Sequence, residues 1–175
     1  VPDDRLEKLA KLSNSKKIIP AVVEFYDIAG LVKGASQGEG LGNQFLTHIR
    51  DTQAITIVLR VFSNPEIIHV EGAPDPIRDM EIINAELQLK DLETIEKRLK
   101  KLEGEARAGD KKAIKNLEVI NEVKAELEKG GLAVKFRDEE IVKELTLLTA
   151  KRQVYLLNGS EAEVSEELKK KIRDF

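Results

Sequence analysis

The sequence predicts an α/β fold in which a parallel sheet is interrupted by an antiparallel α-helical coiled-coil hairpin. Three observations carry this prediction. Runs 21–26, 54–62 and 153–157 are apolar and rich in β-branched or aromatic residues, the composition of strands, with helix-like stretches between them. The middle run, AITIVLRVF, is almost continuously apolar, the pattern of a strand buried on both faces of a parallel sheet. Between residues 77 and 131 the apolar positions switch to a 3-4 spacing with a single Gly-Asp break, which is the pattern of two helices folded back on each other.

Taken in chain order, residues 3–12 predict a short helix with Asp3 as N-cap and Leu6, Leu9 and Leu12 on one face. The first strand, 21–26, follows Pro20. Residues 30–42 hold five glycines (30, 34, 38, 40 and 42), too many for a regular element. A helix over 45–51 leads into the second strand, 54–62, and a loop with Pro65, Pro74 and Pro76 follows. Met80, Ile83 and Leu87, then Leu92, Ile95, Leu99, Leu102 and Ala106, form the first stripe of the hairpin. Gly109-Asp110 breaks it, and Ala113, Leu117, Ile120, Val123 and Leu127 form the second, up to Gly130-Gly131. A helix over 139–149, the third strand, 153–157, and a final helix over 165–175 capped by Ser165 complete the chain. The expected domain division is 1–75 for the first part of an α/β domain, 76–131 for the helical insertion and 132–175 for the remainder of the α/β domain.

Composition narrows the partners. Aromatics are only 4% of the chain, so Leu, Ile and Val must fill the core. Charged residues make up 35%, yet the net charge is −3, so the chain as a whole is no polycation. Any contact with nucleic acid must come from a local patch, and one exists. Lys97, Arg98, Lys100, Lys101, Arg107, Lys111, Lys112 and Lys115 face only Glu103, Glu105 and Asp110 in the same stretch, a net +5 at the hairpin tip. Such a tip suits RNA phosphate, against the plainer reading of a charged helix pair serving as a spacer. The absence of cysteine excludes disulfides and Cys-based zinc sites and suits a reducing compartment. No apolar run approaches the ~20 residues that span a bilayer and no signal segment is visible, so no membrane contact and a cytoplasmic location are expected. Val1 is not a Met and Phe175 falls in a helix-like stretch, so both ends read as cut.

The chemistry lies at strand ends, where open α/β sheets bind ligands. Asp27-Ile28-Ala29-Gly30 closes the first strand. A carboxylate there suits Mg²⁺, usually through water, and a following glycine offers a bare N–H to a terminal phosphate. An ordinary Asp-containing turn is the plainer alternative. No Gly-x-x-x-x-Gly-Lys-[Ser/Thr] loop occurs anywhere in the chain. Asn158-Gly159-Ser160-Glu161 closes the third strand, about 130 residues later. An Asn followed three positions on by a carboxylate recognises a purine base in guanine-nucleotide proteins, although here Gly159 replaces a lysine and Glu161 an aspartate. The competing reading is a turn in which Asn158 and Glu161 only cap a helix. His69, in a loop after the second strand, is either a surface residue or one that reaches a phosphate or water. His48 sits within a helix and reads as structural or partly exposed. Gly38-Glu39-Gly40-Leu41-Gly42 suggests a dinucleotide loop, but its third glycine is one position early and the cluster starts too far past the strand.

These residues together resemble one family. The run 27–36 (DIAGLVKGAS), then 38–43 (GEGLGN), is similar to the switch region of the YchF or Obg-like ATPase family of P-loop nucleotidases. The likeness continues through Ile67-Ile68-His69-Val70, Asp75-Pro76-Ile77, Glu86-Leu87, Asp91-Leu92-Glu93, the hairpin and 147–151 (LLTAK), and so covers essentially the whole chain. The resemblance implies part of a Ras-like P-loop domain that binds and hydrolyses ATP in preference to GTP. It implies Asp27 as the Mg²⁺-linked residue, Gly30 as the γ-phosphate amide, and Asn158, Gly159 and Glu161 at the base. Leu31 fills the place of the catalytic glutamine of Ras-like proteins, and an apolar side chain cannot orient water. The resemblance gives that role to His69. It also implies ribosome association, for which the hairpin tip from Lys97 to Lys115 is the expected rRNA contact. In the family a phosphate loop precedes the part matching Val1, and a TGS domain follows the part matching Phe175. These 175 residues alone are therefore expected neither to bind ATP tightly nor to hydrolyse it.

Overall fold

The computed structural model describes residues 1–28, 48–69 and 72–174. Its elements in order are α1 (Arg5–Leu12), β1 (Ala54–Arg60), α2 (Pro76–Arg107), α3 (Lys111–Glu128), a 3-10 turn (Ala133–Phe136), α4 (Glu140–Leu145), β2 (Arg152–Asn158), a second 3-10 turn (Glu161–Glu163) and α5 (Glu166–Asp174). Residues 48–50 are helical and lead into β1.

β1 and β2 pair in parallel, in a register that sets Ala54 opposite Arg152 and Arg60 opposite Asn158. Parallel strands need a long crossover. Here it runs from 61 to 151 and carries the whole hairpin. Among the described residues the sheet has these two strands. The expected strand over 21–26 is not formed: the segment is irregular and exposed, with Val22 at 80% and Phe25 at 82% of full exposure. β-branched composition favours a strand only where a neighbouring backbone supplies hydrogen bonds. Among the described residues, the Ala21 carbonyl of this segment accepts from the Val1 ammonium and no other backbone group of 21–26 is bonded.

The expected burial of 54–62 on both faces is also corrected. β1 alternates: Ile55, Ile57 and Leu59 are buried, whereas Val58 is 56% exposed. On β2, Val154 and Leu156 share that open face with Val58. α2 covers one side of the sheet, and no described residue covers the other.

α2 starts where the sequence predicts a helix. The Asp75 carboxylate accepts from the backbone N–H groups of Ile77 and Arg78, both at 3.1 Å, and Pro76 has no N–H to leave unpaired. The turn to α3 is equally legible. Gly109 has φ of +89°, which a side chain would strain, and Asp110 caps α3 by accepting from Lys112 and Ala113. Glu96 with Lys124, and Gln88 with the carbonyls of Gly130 and Gly131, pair positions that run in opposite directions, so the hairpin is antiparallel.

α2 belongs to two cores. Its first half places Met80 and Leu87 against Ile49, Ile55, Ile57, Leu59 and Leu148. Its second half places Ile95 and Leu102 against Ile120, Val123 and Leu127 of α3, and against Ala133, Ile141, Val142 and Leu147 of the returning segment. Between them stands Asp91, fully buried, accepting from the N–H groups of Leu148 at 2.8 Å and Thr149 at 2.7 Å and from the Thr149 hydroxyl at 2.7 Å. Desolvation pushes this carboxyl above its ordinary range, and those bonds together with the Arg50 charge oppose the push. Asp91 also accounts for a shortened element. A helix is expected over 139–149, but α4 ends at Leu145 and Thr146 turns left-handed at φ 49°. The amides of 148 and 149 bond sideways to Asp91 instead of continuing the helix.

Candidate functional site

The register brings Arg60 and Asn158 to one edge of the sheet, the edge at which both parallel strands end. The Val61 N–H donates to the Asn158 carbonyl at 3.0 Å, so the loop after β1 and the turn after β2 are joined directly. Two predicted site segments, the His69 loop and 158–161, therefore leave the sheet side by side.

Sequence reasoning passed over Arg60, which shapes the first of them. Its guanidinium donates to the carbonyls of Phe62, Asn64 and Ile67 at 3.0 to 3.1 Å, and lies 4.4 Å from the centre of the Phe62 ring. One planar donor with several N–H groups thus gathers a loop of irregular backbone. His69 follows it, largely buried. Its Nε2 lies 3.0 Å from Oδ2 of Asp79, which is in the first turn of α2. Arg78 faces the other oxygen of Asp79 at 3.6 Å and donates to the Ala73 carbonyl at 2.6 Å. Asp79 was not singled out from the sequence. An acid in a helix's first turn is common, and nothing in the spacing links it to a loop residue ten positions earlier.

The turn after β2 is capped by neighbours of Asn158 and Glu161. The bonds that stabilise it come from Ser160 and Glu163. The Ser160 N–H and hydroxyl donate to Oε2 of Glu163 at 2.8 and 2.7 Å, which holds the Glu163 carboxyl below its usual range. Asn158 and Glu161 make no side-chain bond among the described residues, and both are exposed. The capping reading thus transfers to their neighbours. Gly159 is constrained by packing, because a Cβ there would lie 2.4 Å from Cγ2 of Val61.

Asp27 is exposed and makes no hydrogen bond or ion pair among the described residues, including none to His69, Asn158 or Glu161. Gly30 and Leu31 lie outside the described residues, as do the glycines from 34 to 42. His48 is exposed beside buried Ile49. Among the described residues no three His, Cys, Asp or Glu side chains gather into a metal cage. A lone open carboxylate such as Asp27 fits Mg²⁺, which takes one or two carboxylates and fills its remaining positions with water and substrate phosphate.

At the hairpin tip the charge is more neutralised than composition implies. Lys97 pairs with Glu93, Arg98 with Glu105 and Glu144, Lys101 with Glu105, Arg107 with Glu103, and Lys112 with Glu140. Two of these carboxylates, Glu140 and Glu144, come from α4, far along the chain. Lys100, Lys111 and Lys115 form no ion pair among the described residues. No described helix is long and apolar enough to cross a membrane.

No family model matches the chain. Individual proteins do. It is 51% identical over 170 residues to the ribosome-binding ATPase YchF of Bacillus subtilis, covering 95% of this chain and 46% of that protein. It is 44% identical over 171 residues to Obg-like ATPase 1 of Saccharomyces cerevisiae, covering 92% and 43% respectively. Among solved structures, the Schizosaccharomyces pombe YchF GTPase superposes with a TM-score of 0.72 at 40% identity, over 99% of this chain and 50% of that one. The chain spans about half the length of the curated relatives it matches. With the switch-like run, the paired strand ends and the hairpin all inside those alignments, the chain belongs to the YchF and Obg-like ATPase family.

Proposed function

We propose that this chain supplies the metal-linked, base-recognising and ribosome-facing parts of an ATP-hydrolysing protein. The observation that carries the reading is the turn after β2. Its structural bonds are made by Ser160 and Glu163, which leaves Asn158 and Glu161 open at the ligand-binding edge of the sheet. In this reading Asn158, Gly159 and Glu161 contact the base, and Glu161 in place of aspartate favours adenine over guanine. Asp27 holds Mg²⁺, which when bound screens the phosphate charge, and Gly30 offers its N–H to the γ-phosphate. His69 orients the attacking water that Leu31 cannot. The printed names of the relatives, one a GTPase and others ATPases, agree on nucleotide hydrolysis, and the ATP preference rests on Glu161.

The hairpin meets rRNA phosphate in the same reading, through Lys100, Lys111 and Lys115, which form no ion pair among the described residues, rather than through the whole basic stretch. A ribosome-associated protein of this kind works in the cytoplasm. The 175 residues by themselves hold ATP weakly, since they contain no glycine-lysine phosphate loop.

Calorimetry on the full-length protein tests the base site. Glu161→Ala is expected to weaken ATP binding about 10-fold, the loss of one charge-assisted hydrogen bond, and Glu161→Asp to narrow the preference for ATP over GTP. Unchanged affinities for both nucleotides in both variants would remove the assignment. Reversing Lys100, Lys111 and Lys115 to Glu is expected to abolish ribosome co-sedimentation while ATP turnover persists. Retained co-sedimentation assigns the contact elsewhere.

A further inference from the structure

We propose that Val61 is a base-contacting residue of the nucleotide site, supplying the apolar surface that the turn 158–161 itself lacks. The proposal rests on the base-recognising reading of that turn. A planar base is bound by a few polar groups at its edge and by apolar side chains against its face. Asn158 and Glu161 serve the edge in that reading, and Gly159 between them carries no side chain for the face. Three observations point to Val61. A Cβ on Gly159 would meet Cγ2 of Val61 first, ahead of Oε2 of Glu163 at 3.2 Å and the Phe62 amide nitrogen at 3.5 Å. The φ of Gly159 lies outside the left-handed region, so the glycine answers to this close approach and not to the conformation of the turn. The Val61 N–H donates to the Asn158 carbonyl at 3.0 Å, which ties the two segments together by their backbones. Val61 thus stands where a side chain at 159 would stand.

Val61 is only half-buried, and it is the first residue beyond β1, which ends at Arg60. Ile55, Ile57 and Leu59, on the same alternation, enter the core under α2, but Val61 belongs to neither described core. Its neighbour Phe62 is engaged elsewhere, with its ring 4.4 Å from the Arg60 guanidinium. Arg60 also holds the carbonyls of Phe62, Asn64 and Ile67, so the segment that carries Val61 leaves the strand on a fixed course. Val61 is therefore held, by its own backbone bond and by Arg60, at the strand edge where Asn158 and Glu161 take the base. A contact with the face of the base does not separate adenine from guanine, because both purines present the same ring system. Val61 sets affinity for the purine, and the choice between the two stays with Glu161.

Calorimetry and inhibition kinetics of the full-length protein test the contact. Val61→Ala removes two methyl groups and is expected to weaken ATP and GTP by the same factor, about 3- to 10-fold. Inhibition by inorganic tripolyphosphate, which has no base, is expected to stay the same. Gly159→Val is expected to lose ATP affinity, because its side chain meets Val61. Val61→Ala combined with Gly159→Val is expected to regain most of that loss, because the apolar group has only crossed from one segment to the other. Unchanged ATP affinity in Val61→Ala overturns the proposal, as does a loss confined to one of the two purines. Tripolyphosphate inhibition weakened as much as ATP binding assigns Val61 to folding alone and overturns it too. Losses that multiply in the double variant do the same, since the two side chains then do not share one place. Where Glu161→Ala leaves ATP binding unchanged as well, the base-recognising reading falls together with this proposal. Where Glu161→Ala weakens ATP and Val61→Ala does not, this proposal falls alone.

Discussion

The hairpin and the sheet are built from the same kinds of apolar residue and have opposite fates. In the hairpin, Ile95, Leu102, Ile120 and Val123 are fully buried. On the open face of the sheet, Val58, Val154 and Leu156 are each more than half exposed, and Val22 and Phe25 in the segment before it are more exposed still. The difference lies in where each element finds its partner. A helix satisfies its backbone within itself, and a short Gly109 turn delivers the second helix to the first. A strand depends on a neighbour distant in sequence, and a face is covered only if another element reaches it.

Removing the link between the two regions is the most severe way to test this contrast. Asp91→Ala leaves the Leu148 and Thr149 amides buried without an acceptor, and is expected to cost about 4 kcal/mol. Urea unfolding measures it, and a separate early transition for one of the two cores would show that Asp91 joins them. Next comes packing. Ile120→Ala should lose about 3 kcal/mol by opening a cavity, whereas Val154→Ala on the open face should change stability by less than about 0.5 kcal/mol. Equal losses would mean that the open face is covered in solution. Gly109→Ala forces a side chain into the left-handed region and should cost about 1 kcal/mol in the same assay.

The smallest effect is electrostatic. Bonds from Lys90 and Lys97, each at 2.5 Å, push the Glu93 carboxyl down to about 2 from an ordinary 4.5. A depressed carboxyl stabilises the fold above its unfolded pKa, and that contribution disappears as pH falls from 4.5 toward 2. Glu93 is 41% exposed, so solvent screening limits the effect to about 0.5 kcal/mol. Glu93→Gln should therefore differ from the parent chain in urea midpoint at pH 6 and match it near pH 2.

The residues of the candidate site stood out unevenly in the sequence. Asn158 and Glu161 stood out because they close an apolar run, whereas the capping bonds of that turn, Ser160 with Glu163, are ones a four-residue motif does not specify. His69 stood out by rarity, since the chain has two histidines. Its partner Asp79 did not, because no periodicity ties a loop to the first turn of the next helix. Arg60 was hidden as one polar residue in an apolar run, yet it gathers the loop. The strand expected over 21–26 misled because propensity reports what a pleated surface accepts, not whether a neighbour is present to form one.

The amino-acid sequence by itself determined the hairpin: its stripes, the Asp75-Pro76 start, the Gly109-Asp110 turn and the Ser165 cap of α5, whose hydroxyl accepts from the Leu168 N–H at 3.1 Å. All of these act within a few residues, over the range in which side chains and backbone constrain each other directly. The tertiary structure decided the parallel register that sets Arg60 beside Asn158, the capture of 148–149 by Asp91, the one-sided burial of the sheet and the pairing of His69 with Asp79. Most of these join residues tens of positions apart, and the His69 pair crosses from loop to helix. Each exists only once the cores have formed, because a contact without a sequence period depends on packing to bring its partners together.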